Sequence, residues 1–337
     1  TYTPGTTRED SFQLKDGVTI YGAFAGTEDS LDQRDIKTNV TILSGDIGTT
    51  NDNSDNSHTV VKLSSNSTAT LDGFTIQDGN NTRTDDNSDD GGGEYNAGNL
   101  TLKNVVVRDN KAADDGGGIR NNGTITIIDS TVANNESVGT SDTSGGGGLI
   151  NTGISATIIN STFSGNTAKN GGAIRNDTIL NLINSTLSGN AASFSGGGLS
   201  NTISLDTLFS SLFIELSLKN FTPSDISGTA QATITNSTIT DNTAQATSGS
   251  GIANFAKLNV TNSIVAGNAN NDEIAHNFPS QIISQFTGLP IGDNVVGQNT
   301  SDGNNIIGNG DNVSGFSDGT NGDKVGTQTN PIDTVLD

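Results

Sequence analysis

A single-stranded, right-handed parallel β-helix, an all-β solenoid with coils of about 25 residues, is the fold class this sequence predicts, from two phrases that repeat in step. The first reads Gly91-Gly-Gly-Glu-Tyr-Asn96, Gly116-Gly-Gly-Ile-Arg-Asn121, Gly146-Gly-Gly-Leu-Ile-Asn151, Gly171-Gly-Ala-Ile-Arg-Asn176, Gly196-Gly-Gly-Leu-Ser-Asn201 and Gly249-Ser-Gly-Ile-Ala-Asn254, its asparagines 25, 30, 25, 25 and 53 residues apart. The second keeps the same beat: Asn104 with Asn110, Asp129 with Asn135, Asn160 with Asn166, Asn184 with Asn190, Asn236 with Asn242 and Asn262 with Asn268. Two phrases held in one phase mean that each repeat is one coil of a stack.

The elements of a coil follow in order. Each repeat carries a short alternating stretch, Leu100–Leu102, Ile125–Ile127, Ala156–Ile158, Leu180–Leu182, Ala232–Ile234 or Leu258–Val260. Alternation at period two marks a strand with one buried face. Five residues on stands a third apolar column, Val107, Val132, Phe163, Leu187, Ile239 and Val265. These three columns are the expected core. Glycines supply the backbone angles of sharp corners, and stacked asparagines at bends can bond from coil to coil. Strands then pair with the coil above and below at about 4.8 Å.

Composition narrows the function classes. The 337 residues carry 43 glycines, no cysteine, methionine or tryptophan, and 4% aromatics. Without the repeat this would read as disorder; with it, a solenoid needs no central globular core. Lacking cysteine, the chain has no disulfide framework and no thiolate site. A formal charge of −22 repels phosphate backbones and anionic lipid, which argues against nucleic acid and membrane docking. No apolar run approaches the roughly 20 residues that span a bilayer. With no signal peptide before Thr1, the chain reads as a mature or trimmed ectodomain.

The Gly-Gly-Ala-Ile and Asn-Ser-Thr-Phe-Ser-Gly-Asn phrases resemble the polymorphic outer membrane protein repeat. Asp16–Glu28, Arg34–Asp46 and Leu71–Ile76 are similar to the opening coils of large bacterial β-helix surface proteins. Thr261–Asn268, Asn304–Gly308 and Val325–Asp333 look like the last coils of choice-of-anchor β-helix proteins. The resemblance implies an extracellular or cell-surface bacterial protein. The chain itself is read as one elongated domain with an N-terminal cap and first strands over 1–40, coils over 41–275 and irregular C-terminal coils or cap over 276–337. Two stretches break the period: an apolar insertion at 202–229, and residues 275–291. Insertions in solenoids emerge as loops on one face.

Two candidate sites arise. Asp89 and Asp90 precede one Gly-Gly-Gly phrase and Asp114 and Asp115 the next, 25 residues on. Stacked on neighbouring coils, four unpaired carboxylates would repel unless screened, so they are candidate calcium ligands. The second is an outward stripe, Ile128, Ile159 and Ile183, flanked by threonine columns; the insertion, with Phe209 and Phe213, is expected to fold over it. An exposed apolar stripe marks an interaction surface. His58 and His276 are too far apart in sequence for a histidine metal site, and the arginines show no context that selects a base. The function expected is therefore a non-catalytic adhesin, spacer or matrix component with no certain cofactor. It would bind a glycan or surface ligand or associate with itself, end to end or by its side face. The alternative is a calcium-dependent polysaccharide lyase or hydrolase of the pectate-lyase-like β-helix type.

Overall fold

The computed structural model describes residues 1–83, 91–202, 230–245, 249–269, 273–275, 298–308, 315–327 and 329–332. Their strands form four stacked sheets that pair in parallel throughout, so the predicted β-helix is the fold. The first coil is β1 (Phe12–Gln13), β2 (Val18–Tyr21) and β3 (Thr41–Ser44). The second is β4 (Val61–Leu63), β5 (Thr68–Asp72) and β6 (Phe74–Gln77), with β1 on β4, β2 on β5 and β3 on β6. These three positions are sheets I, II and III. A short fourth strand, β7 (Asn80–Asn81), opens sheet IV, and β8 (Glu94–Asn96) returns the chain to sheet I. Among the described residues, sheets I to IV hold nine, nine, ten and five strands. Residues 1–40 therefore already contain strands of sheets I and II.

The three expected apolar columns stack as read. In sheet II, Leu100 and Leu102 pair with Ile125 and Ile127, then Ala156 and Ile158, then Leu180 and Leu182. In sheet III, Val107, Val132, Phe163 and Leu187 form the third column. The core is wider than those three columns. Sheet I adds Ile119, Leu149, Ile174, Leu199 and Ile252, all at 0% exposure. Each three-residue strand of sheet I points one apolar side chain and one asparagine inward, so this column gives no apolar alternation to read. With about 1.5–3 kcal/mol for each buried Leu or Ile, four inward side chains contribute about 6–12 kcal/mol per coil.

Polar side chains run between the columns as three buried ladders. At the turn from sheet I to sheet II, Asn96 donates Nδ2–H to Asn121 Oδ1, and the bond repeats through Asn151, Asn176, Asn201, Asn254 and Asn299 at 2.7–2.8 Å. Between sheets III and IV, Asn110 donates to Asn135, then Asn166, Asn190, Asn242 and Asn268 at 2.9–3.0 Å. This ladder ends on Glu273, which accepts from Asn268 Nδ2 at 2.5 Å. Between sheets II and III, the backbone N–H of each serine donates to the hydroxyl one coil on, from Ser130 through Ser161, Ser185 and Ser237 to Ser263. That series passes to Asn305 and ends on the Asp323 carboxylate. An amide both donates and accepts, so it can be repeated without limit; a carboxylate only accepts and suits the last rung.

The two asparagines of the second phrase thus do different work. Asn110, Asn135, Asn166 and their equivalents are inner rungs. Asn104, Asn160, Asn184, Asn236 and Asn262 turn the outer corner with φ between 47° and 51°, with Asp129 in the same conformation at 50°. Asn and Asp reach this left-handed region more readily than other side-chain-bearing residues. The Gly-rich phrase has its own requirement. Gly116 has φ +64°, and a Cβ on Gly117 would meet the Glu136 backbone at 2.5 Å.

Candidate functional site

The acidic corner sits where the chain enters sheet I. Asp114 accepts a hydrogen bond from Ser144 Oγ, and its carbonyl accepts one from Ser137 Oγ. Asp115 is not the unpaired carboxylate expected from sequence. Its Oδ1 accepts from the Gly145 N–H at 2.9 Å, and its Oδ2 pairs with Arg120 Nη1 at 3.0 Å. The turn at Gly116 folds the chain back so that residues five apart meet. Both Asp115 oxygens are therefore engaged within the fold, and Asp114 accepts from Ser144. Asp89 and Asp90 lie outside the described residues. Among the described residues no three Asp, Glu, His or Cys side chains gather as a metal group.

The arginines that sequence left without context are placed here. Arg120, Ile150 and Arg175 form one outward column of sheet I. Arg175 clamps Asp177 through Nε and Nη2 at 3.0 and 2.9 Å. Arg175 and Asp177 are both buried, and Nη1 of Arg175 has no hydrogen-bond partner. Burial pushes the Asp115 carboxyl up to about 6, against the pull of Arg175 and Arg120, and burial likewise raises Asp177 against Arg175. A buried carboxyl in this setting binds its proton more tightly in the fold than in the unfolded chain.

Glu94 is the residue that sequence reasoning passed over. It occupies the inward column of sheet I, paired with Val61 on one side and Ile119 on the other. Its exposure is 0%, and neither carboxylate oxygen has a hydrogen-bond partner. Burial alone raises its pKa well above the ordinary glutamate value. The signal was visible: the fourth residue of the Gly-rich phrase is Ile, Leu, Ile, Leu and Ile in the other repeats and Glu only here.

The sign of the resulting pH dependence is the same for Glu94, Asp115 and Asp177. Each stabilises the fold below the unfolded-chain pKa of about 4, and that contribution is lost as pH rises through the folded value. For Asp115, with its folded value about 6, the loss is on the order of 3 kcal/mol. The exposed Asp10, Glu28, Asp35 and Asp52 have lowered values from backbone and hydroxyl hydrogen bonds. Their contribution is present above the unfolded value and fades only at more acid pH. The melting temperature is expected to rise as pH falls from 8 to 5, and Asp115→Asn should flatten that slope. A calorimetric series finding the protein most stable at pH 8 would contradict this.

On sheet II the outward stripe forms as read. Ile128 pairs with Ile159 and Ile159 with Ile183. Each is half-buried, and the nearby Ile179 and Ile154 are 45% and 71% exposed. The flanking column Thr101, Thr126, Thr157, Asn181 also holds its register. Phe209, Phe213 and the insertion from 203 onward lie outside the described residues. On sheet IV an outer groove of about 490 Å³ is lined by Glu136, Val138, Thr167, Lys169 and Ser193. There Lys169 Nζ reaches the Thr140 carbonyl at 2.6 Å and lies 6.0 Å from the Phe194 ring centre.

Comparison with protein-family models, with curated proteins and with solved structures finds no match for the chain.

Proposed function

We propose that this chain is a non-catalytic structural and adhesive rod of the bacterial cell surface or its surroundings, able to associate with further copies and to hold a glycan or surface ligand on its sides. The observation that carries the reading is the continuity of the buried ladders. The inner asparagine and serine series run coil after coil and end on Glu273 and Asp323. Stacked amides and hydroxyls that satisfy one another in a dry interior specify register and resist bending. They serve a body whose output is shape. The half-buried isoleucines of sheet II and the groove on sheet IV supply contact surfaces of two kinds, one apolar and one of mixed polarity.

The test pairs binding with turnover. Immobilised protein is exposed to a panel of neutral and acidic polysaccharides, with calcium and with chelator, and the eluates are assayed for new reducing or unsaturated ends. Retention without product is the expected result. Product formation that Asp115→Ala or Arg120→Ala abolishes, in protein that still melts cooperatively, would replace the rod with the lyase or hydrolase.

A further inference from the structure

Nine buried side-chain atoms among the described residues lack a hydrogen-bond partner, and five of them fall in one place. They are Asp55 Oδ1, Asn56 Oδ1, Ser57 Oγ, His58 Nδ1 and Asn80 Oδ1. The first four belong to consecutive residues, along a stretch that bends at Asn56 and again at His58. Asn80 lies beside them, its N–H donating to the Ser57 carbonyl at 2.9 Å. On the other side the His58 N–H donates to the Arg8 carbonyl at 2.8 Å, so the stretch is enclosed between two neighbouring segments. Asn56 is 2% exposed and Ser57 0%.

The hydrogen bonds around this place fix which atoms are left over. Asn56 Nδ2 donates to the Asp78 carbonyl at 2.7 Å, and Asn80 Nδ2 to the Asn53 carbonyl at 2.6 Å. A carbonyl only accepts, so turning either amide round would set oxygen against oxygen. The atoms without partners are therefore the amide oxygens. Asp55 is held in the same way: Oδ2 accepts from the Thr49 N–H at 2.7 Å, and Oδ1 remains. Arg8 does not serve these side chains. Its Nε and Nη2 donate to the backbone carbonyls of Asn56 and Asn80, both at 2.8 Å. The Ser57 N–H closes the loop on the Gly45 carbonyl at 2.9 Å. Residues 45–57 carry Asp46, Asp52 and Asp55 and no lysine or arginine.

We propose that Asp55, Asn56, Ser57 and Asn80 hold one calcium ion, which ties the 45–57 loop to the coil that follows it. Buried acceptors without a donor are costly, and a cation relieves several at once. Carboxylate, amide and hydroxyl oxygens are hard donors, and calcium takes roughly six to eight oxygens in flexible geometry, water and backbone carbonyls included. Magnesium demands a near-octahedral set and keeps its waters, so it suits a loop of amides poorly. One water has too few protons to serve this many acceptors. With a single carboxylate in the donor set, no group of three acidic, histidine or cysteine side chains marks the place among the described residues. The site is separate from the acidic corner at Asp114 and Asp115, and it does not depend on what the rod binds.

The protein, stripped with chelator and dialysed, is titrated with calcium chloride by calorimetry, and amide hydrogen exchange is read with and without the ion. Calcium is expected to bind and to slow exchange across residues 46–57 at least about tenfold. At about a hundredfold excess over the dissociation constant, the melting temperature should rise by about 4 °C. Asp55→Ala and Asn80→Ala should each weaken binding at this site at least about tenfold. Asp241→Asn, at an outer corner far along the rod, should not. Magnesium at the same concentration should leave exchange over 46–57 unchanged. An equal response to both ions would mean general screening of a chain of charge −22 and would overturn the site. Calcium binding that leaves exchange over 46–57 unchanged would overturn it too, and that result is readable even where a variant fails to fold. So would a melting temperature identical in calcium and in chelator.

Discussion

Replacing Glu94 by isoleucine is expected to raise the unfolding free energy at pH 8 by about 3–5 kcal/mol, the sum of a buried apolar side chain gained and an unsatisfied buried carboxyl removed. The column into which it falls already holds Val61 and Ile119 on the two sides, so isoleucine continues the local packing. Glu94→Gln separates the two contributions. It keeps an unpaired polar group in the core but cannot ionise. It should therefore match the parent at pH 5 and exceed it at pH 8, where the parent has to hold a proton or a buried charge. Denaturant titrations at the two pH values give both differences. A loss of stability in Glu94→Ile would mean that the carboxyl has a partner that burial and geometry do not reveal.

Cutting one inner rung is expected to cost more than any surface change. The Asn166 side chain takes part in four hydrogen bonds. Nδ2 donates to the Val132 carbonyl and to Asn190 Oδ1, both at 2.9 Å, and Oδ1 accepts from the Asn135 N–H and Nδ2, both at 3.0 Å. Asn166→Ala orphans a buried N–H and a buried carbonyl and breaks the series on both sides. At about 1–3 kcal/mol for each stranded group, the loss comes to about 2–6 kcal/mol. Asn166→Asp should be worse, since a carboxylate cannot donate and would face the Val132 carbonyl and Asn190 Oδ1 with like polarity. The partner asparagine of the same phrase makes the control. Asn160 sits exposed at an outer corner with φ +51°, and Asn160→Gly should change stability by less than about 1 kcal/mol. Equal effects at 160 and 166 would mean that the ladders do not carry the rod's stability.

The architecture was legible because it is written in repetition. Three core columns, the stacked isoleucines and the threonine column on sheet II came out in the register that aligned phrases imply. Sheet I was hidden in the glycine-rich phrase because three residues with one inward apolar side chain produce no apolar period. The pairing of Asp115 with Arg120 was hidden for another reason. It depends on which way two side chains leave a turn at Gly116, and spacing alone does not encode that. The same spacing that suggested stacked carboxylates also brings an arginine to one of them. Glu94 could have been read as an acid in an apolar column, but only once that column was recognised as part of the core.

One more consequence lies in the direction of the buried ladders. Every inner asparagine amide donates to the asparagine of the next coil and to a backbone carbonyl of the previous one, so any coil boundary is equivalent to any other. Length in this molecule is therefore a counted quantity, like beads on a string. Removing one whole repeat between matching corners, for instance residues 161–184, would hand each severed proton to an identical acceptor one place further on. Removing half a repeat would leave none of them a recipient. Recombination between the near-identical Asn160 and Asn184 phrases can thus lengthen or shorten the rod in steps of about 4.8 Å, with no other part of the chain obliged to change.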